Sequence, residues 1–215
     1  MKHLTGTLTG EAVDTLPNRR TQAKLQTRQK VLAAARQMFA EQGYEGATIR
    51  DIATAAGMST GAVFANFTDK SDLFCDIMDT DMVMLIAAIE EATAGETQVE
   101  AALTKVFTSA FRFYQSQLPL ARAAFSVAWT PDHGQDVRNL PSLTRLKALI
   151  TEQLEAGVAR GELVAEAEIP LRSSMLFNVF LSNFPRAIFG GCELEELEAR
   201  ARDQVRILLA GALKA

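Results

Sequence analysis

Apolar residues at Ile49, Ile52, Ala53 and Ala56 fall at i, i+3, i+4 and i+7, which gathers them on one face of a short helix that stops at Gly57. Thr48 and Asp51 stand ahead of that run in a T-x-x-D arrangement. The hydroxyl can accept from a first-turn N–H, and the carboxylate lies at the positive helix end. Glycine reaches the left-handed conformation without a Cβ penalty, so the chain can reverse at Gly57 before Ser59 or Thr60 caps a second helix. Val63 and Phe67 bury that helix, while Thr60, Gly61, Phe64 and Asn66 turn variously outward. Ala53 and Ala62 are small where two helices meeting at about 90–120° leave little room. The pattern predicts a helix-turn-helix, an element that lays its second helix in the major groove of DNA.

The same periodicity predicts a helix from about Gln26 to Gln42, stopped by Gly43, and another opened by the Asp69 and Asp72 pair and running to Thr93. Beyond Ala94-Gly95, helical length and spacing recur over Val99–Gln115, Leu120–Thr130, Leu143–Arg160, Leu171–Phe189 and Glu193–Leu213. Pro119, Pro131, Pro141, Gly161 and Gly190-Gly191 fall between these segments as breakers. Strand alternation and internal repeats are missing. The expected fold is all-α with about nine helices: a flexible tail over 1–24, a DNA-reading domain over 25–70 and a second helical domain over 71–215.

The net charge of −4 argues against DNA binding until it is divided along the chain. Residues 1–72 carry nine Lys/Arg and seven Asp/Glu, a balance of +2, whereas 73–215 carry thirteen and nineteen, a balance of −6. No acidic residue lies between Asp14 and Glu41, a stretch holding Arg19, Arg20, Lys24, Arg28, Lys30 and Arg36. That run suits a phosphate backbone, and a solvated helix face explains it equally well. Small residues at Ser59, Thr60, Gly61 and Ala62 let the second helix approach base edges, and the Thr60 methyl or Ala62 can touch a thymine methyl. Arg50 and Asn66 are the longer candidates for reading bases, and Arg28, Thr48 and Lys70 those for holding phosphates.

The ordered block VLAAARQMFAEQGYEGATIRDIATAAGMSTGAVFANFTDKSDLF, within residues 26–74, resembles the TetR/AcrR family of bacterial transcriptional regulators. It has a first helix ending in Phe and Gly-Tyr, a capped second helix, a short recognition helix, and the Phe-x-x-Lys segment from Phe67 to Lys70. Two positions depart from the family pattern: Phe64 and Asn66 stand where Tyr and His are usual, which removes a phenol that meets a phosphate. The resemblance implies a homodimeric, ligand-responsive repressor released from a pseudo-palindromic operator when a small molecule enters the second domain.

Aromatic and Met side chains crowd that second domain, and Phe107, Phe111 and Tyr114 form a stripe that suits a filled core or a cavity wall. The resemblance implies a cavity there, with Phe107, Phe111, Tyr114, Phe125, Trp129, Met175 and Asn178 as candidate wall residues. The 171–189 segment is apolar on nearly every side, as a helix covered on two faces would be. With the amphipathic last helix it resembles the family's four-helix dimer interface, with Phe177, Phe180, Leu181, Phe184, Ile188, Val205, Leu208 and Leu209 as contacts, and Pro185 is expected to kink it. The alternative of a helix buried within one chain stays open.

Enzyme chemistry finds little support. Gly57-Met58-Ser59-Thr60-Gly61 matches the G-x-S-x-G nucleophile elbow, but an alanine-rich helix enters it where a strand is required, and the only histidines, His3 and His133, offer no base. His133 beside Asp132 and Asp136 reads better as a solvated turn than as a metal site. No P-loop or dinucleotide fingerprint occurs, so no cofactor is expected. Cys75 and Cys192 stand far apart, and the first twenty residues lack an apolar signal core, which together point to reduced thiols and a cytoplasmic location. No apolar run reaches the ~20 residues of a membrane span. Expected partners are therefore operator DNA, a small effector and a second copy of the chain. The rival reading is a small-molecule binding protein or enzyme on the same scaffold that does not bind DNA.

Overall fold

The computed structural model describes residues 19–130 and 141–214, with the side chains of Arg19 and Arg20 excepted. His133, its two aspartates, Pro131, His3 and residues 1–18 of the tail lie outside the described residues. Nine helices make up the described chain: α1 Arg19–Gly46, α2 Ile49–Ala55, α3 Thr60–Phe64, α4 Lys70–Thr93, α5 Val99–Gln115, α6 Leu118–Ala128, α7 Pro141–Ala159, α8 Ile169–Phe189 and α9 Leu194–Leu209. Among the described residues the one β feature is an isolated antiparallel bridge between Leu163 and Leu213.

Local chemistry explains both the agreements and the differences. Asp69 caps α4 by accepting from the Asp72 N–H at 2.8 Å, while the Asp72 carboxylate accepts from the Thr68 N–H at 2.8 Å. α1 begins at Arg19 instead of Gln26, so residues 19–24 are helical rather than tail. That stretch consists of sound helix formers and Thr residues, and Thr27 returns its hydroxyl proton to the Ala23 carbonyl. Gly43, at φ 73°, does break the helix, and one further turn follows it to Gly46. Pro119 and Pro141 are first-turn residues of α6 and α7 rather than breakers ahead of them, positions where a missing N–H costs nothing. α8 continues through Pro185 to Phe189. α9 ends at Leu209, four residues early, because Gly211 turns the chain at φ 80° and Ala212 then accepts from the Val164 N–H at 2.8 Å.

Two apolar cores meet along α4. One joins Val31, Phe39, Tyr44, Ile52, Val63 and Phe67 to Leu73, Phe74, Ile77 and Met78, and extends to Leu120, Ala123 and Val127 of α6. The other begins at Met82 and holds Leu85 and Ile89 with the inner faces of α5, α7, α8 and α9. The first core therefore does not stop at residue 70: α1 packs on α6, and the first turns of α4 belong with the helix-turn-helix. Gly157 lets α7 come close to α5, since a methyl there would stand 3.0 Å from Val99 Cβ and Cγ2.

Candidate nucleic-acid interface and effector cavity

The α2–α3 element is held by caps at every end. Thr48 Oγ1 accepts from the Asp51 N–H at 3.2 Å and donates to the Asp51 carboxylate at 2.6 Å. Past Ala56, Gly57 takes φ 67°, its N–H reaches the Thr54 carbonyl at 3.0 Å, and the Met58 N–H reaches Ala53 at 2.8 Å, which is a Schellman closure. Ser59 then caps α3 by accepting from the Ala62 N–H at 3.2 Å. Ile52, Ala53, Val63 and Phe67 face inward, leaving Thr48, Arg50, Ser59, Thr60, Gly61 and Phe64 exposed and Ala62 half-buried on the outer side. Phe64 is 54% exposed, a large apolar surface to leave in water.

Three of the anticipated DNA contacts are committed inside the protein. Lys70 Nζ donates to the carbonyls of Tyr44 at 2.7 Å and Ala47 at 3.2 Å and sits 4.3 Å over the Tyr44 ring. It ties the start of α4 to the chain between α1 and α2 instead of reaching outward. Arg28 donates to the Asn66 carbonyl at 2.9 Å, pairs with Asp76 at 2.9 Å and lies over Phe67. The Asn66 amide donates to the Ala62 carbonyl at 2.9 Å, and its Oδ1 is buried without a hydrogen-bond partner, so this side chain faces the fold and not a base edge. In each case a backbone carbonyl made available by a helix end captures the donor. Arg50 forms no ion pair among the described residues and stays exposed.

A cavity of about 390 Å³ opens where the two cores meet. Tyr114, Phe125 and Trp129 line it, as do Met78, Met82, Leu120, Phe177, Phe180 and Phe184. Phe107 and Phe111 do not: both are fully buried against Phe180, at ring distances of 5.7 and 5.9 Å, because the stripe that contains them points into the core until its last turn, at Tyr114. Met175 and Asn178 lie on the opposite, exposed side of α8. The wall is an aromatic group, with Tyr114 and Phe184 4.2 Å apart edge to face and Phe125 stacked on Phe184 at 6.4 Å.

Several of the expected dimer contacts also move inward. Phe180, Ile188, Val205 and Leu209 are buried within the chain, Leu208 packs on the core, and Phe177, Phe184 and Leu181 belong to the cavity wall. The face of α8 left open carries Leu171, Met175, Asn178, Ser182 and Phe189, spaced three, four or seven residues apart, with Ile207 of α9 exposed as well. Periodicity could not choose among the faces of an all-apolar helix.

The cavity floor carries two polar residues, and both are held from the first helix. Asp81 is 5% exposed and receives both terminal nitrogens of Arg36, one at 3.0 Å to Oδ2 and the other in an ion pair to Oδ1. Arg36 also donates to Gln117 Oε1 at 3.2 Å. Asp81 and Gln117 line the cavity. The Tyr114 hydroxyl donates to the Met82 sulfur at 3.0 Å, and burial, helped by the nearby Asp81 charge, pushes its ionisation far above the ordinary tyrosine range. Sequence reading missed this node, although a signal existed: Asp81 sits within the apolar run Phe74, Ile77, Met78, Leu85 at helical spacing. Cys75 and Cys192 are not bonded to one another. Among the described residues no group of three or more His, Cys, Asp or Glu could hold a metal ion, and no helix is long and apolar enough to cross a membrane.

Residues 31–77 match the family model described as bacterial regulatory proteins, tetR family. The chain is 43% identical over 65 residues to the HTH-type transcriptional repressor AcnR of Corynebacterium glutamicum, an overlap of 30% of this chain and 35% of that protein. It thus spans about a third of the length of the curated relatives it matches. The likeness to solved structures runs further. The fatty acid degradation regulator FadR of Bacillus halodurans aligns with a TM-score of 0.71 at 22% identity over 86% of this chain and 95% of that one. FadR of Bacillus subtilis, solved in complex with stearoyl-CoA, aligns with a TM-score of 0.71 at 19% identity over 85% and 98%. At these identities the likeness establishes the fold, a helix-turn-helix domain followed by a helical domain.

Proposed function

We propose that this chain, whose amino-terminal domain belongs to the TetR family of bacterial regulatory proteins, is a ligand-responsive DNA-binding transcriptional repressor. The observation that carries this reading is the α2–α3 element, a Schellman-hinged helix pair whose inner face is buried and whose outer face presents Ser59, Thr60, Gly61 and Phe64 beside Arg50. In the major groove the small residues set close approach, Phe64 and the Thr60 methyl offer apolar contact to thymine methyls, and Arg50 supplies a long donor for a base edge or phosphate. Thr48 Oγ1 gives its proton to the Asp51 carboxylate, so it meets a phosphate only by turning away from Asp51. Arg28, Asn66 and Lys70 act one step back, fixing the angle at which α3 is carried.

A second copy completes the reader. The open stripe of α8 sets Leu171, Met175 and Phe189 in water with Asn178 and Ser182 between them, and pairing it about a two-fold axis joins two α3 helices into one unit. Two half-sites about 34–36 Å apart then face the pair. The effector enters the cavity at the seam. FadR of Bacillus subtilis was crystallised with stearoyl-CoA, and an apolar ligand suits the aromatic wall here. A ligand that favours the DNA-incompetent arrangement by about 1–3 kcal/mol lowers operator affinity 5- to 150-fold. Such a repressor works in the cytoplasm, where its DNA lies.

The test is anisotropy of labelled DNA from upstream of the chain's own gene, titrated across salt concentrations. A specific reader keeps a preference for one site after nonspecific binding has fallen away. Equal affinity for every duplex, or a monomer at all concentrations, overturns the reading. It would favour the rival, a small-molecule binder on this scaffold.

A further inference from the structure

The chemistry at the two ends of the cavity differs, and the difference selects a class of ligand. At the inner end the polar groups are already satisfied. Both Asp81 oxygens take Arg36, Gln117 Oε1 takes the same guanidinium, and the Tyr114 proton goes to the Met82 sulfur. A ligand cation entering there would have to displace Arg36 from a buried carboxylate whose two oxygens are already taken. At the rim stand Thr144 and Lys147, three residues apart on one exposed face of α7.

Lys147 differs from the other cation on its helix. Arg145 is held by Glu90 at 2.7 Å and by Glu152, which spends both carboxylates. Three and four residues from Lys147 lie Leu143, Thr144, Ile150 and Thr151, none of them acidic, and Lys147 makes no ion pair among the described residues. Lys147 is exposed at the rim and unpaired among the described residues, so it is the cation there that can meet an anionic ligand group. Between the ends, Met82, Leu120, Phe125, Phe180 and Phe184 provide apolar wall, and about 390 Å³ accommodates roughly a dozen waters or a ligand body of similar heavy-atom count.

We propose that the cavity binds an amphipathic monoanion, its apolar body against the aromatic wall and its acid group at the rim on Lys147 and Thr144. The proposal rests on the cavity being the effector site, and its test is built so that the two can fail separately. Decanoate, 1-decanol and decyltrimethylammonium share one tail and differ in head, and their binding to the full-length chain is measured below their micelle concentrations by calorimetry. Decanoate is expected to bind about three- to tenfold more tightly than decanol, as one charge-assisted hydrogen bond at an exposed rim provides. Lys147→Gln should bring the two within about twofold while leaving decanol unchanged, and Ala124→Phe, which fills the cavity from its α6 wall, should abolish all three. The ammonium binding best, a preference that survives Lys147→Gln, or no binding of any probe overturns the proposal. Anisotropy on operator DNA with the same preparations reads the repressor function independently: decanoate bound through Lys147 without effect on DNA upholds the ligand class and rejects the switch.

Discussion

Removing the carboxylate of Asp81 isolates the one ion pair that joins α1 to the cavity floor. Asp81→Leu leaves Arg36 with only Gln117 to accept from it, among Met78, Met82 and Leu120. Breaking a fully buried pair costs about 3–5 kcal/mol. Here the Asp81 side chain is 7% exposed but Arg36 is 36% exposed, so the freed guanidinium can swing partly into water, and the loss falls to about 1–3 kcal/mol. For a chain of this length that lowers the melting temperature by roughly 2–12 °C at fixed protein concentration. Arg36→Met alone leaves the buried Asp81 unpaired and should cost at least as much. The double variant, apolar at both positions, should recover most of the loss, because an apolar pair in place of a buried ion pair is close to neutral. The double-mutant cycle by thermal and urea unfolding should therefore show a coupling of about 1–3 kcal/mol. A cycle that sums to zero, or an Asp81→Leu protein as stable as its parent, would mean the pair is an ornament of a solvated rim and carries no mechanical link between α1 and the cavity.

Other outcomes follow from single contacts. Lys70→Ala should lose about 1–2 kcal/mol of stability by chemical denaturation, since two carbonyls at a helix junction lose their donor, and its salt slope on DNA should stay that of the parent; a slope reduced by about one unit would return Lys70 to a phosphate. Gly57→Ala should cost about 1–2 kcal/mol, because φ 67° is strained for any side chain even though nothing crowds the position; an unchanged melting temperature would refute this. Glu168, the non-glycine residue at positive φ (48°) among the described residues, should be improved by Glu168→Gly by up to about 1 kcal/mol, the relief of strain exceeding glycine's entropy, as a raised melting temperature would show. The chain has two tyrosines, and burial raises the ionisation of both Tyr44 and Tyr114. Their neutral forms are favoured by folding, so this contribution is complete below the unfolded value near 10 and is lost as pH rises above it. Absorbance at alkaline pH should show Tyr44 ionising above the free value and Tyr114 only on unfolding; two ordinary titrations in the native protein would contradict the burial.

What could be read in advance was whatever a residue decides within its own helical turn. Thr48, Ser59 and Asp69 cap because each hydroxyl or carboxylate lies three residues from the N–H it accepts, and Gly43 and Gly57 turn because no other residue does so without strain. What could not be read was the destination of long side chains. Lys70 finds its carbonyls 23 and 26 residues away, and Arg28 reaches across 38 residues to Asn66. Charge and position alone cannot separate a donor turned to phosphate from one turned to a stray carbonyl. Depth is likewise invisible to periodicity: Phe107, Phe111 and Tyr114 share a stripe, yet only the last reaches the cavity, because the stripe runs from one core to its edge.

Under the proposed function, that edge is where a ligand would be felt by the helix-turn-helix. α4 gives Met78 to the first core and Met82 to the second, one helical turn apart, and both line the cavity. α6 divides in the same way, with Leu120 in the first core and Ala121 in the second, both again on the cavity wall. Asp81, between the two methionines, is held by Arg36 from α1. A body inserted at this seam pushes on both packed units at the one level where each is incomplete, and close-packed interiors answer such a push by shifting whole helices and not by compressing. α1 and the first turns of α4 share one core and are tied by Arg28 to Asp76 and by Arg36 to Asp81, so a shift of that core as a unit against the second re-aims α3 without any rearrangement inside the helix-turn-helix. On the proposed function, the switch would require no unfolding of the helix-turn-helix, only a new registry between two packed cores that share a wall.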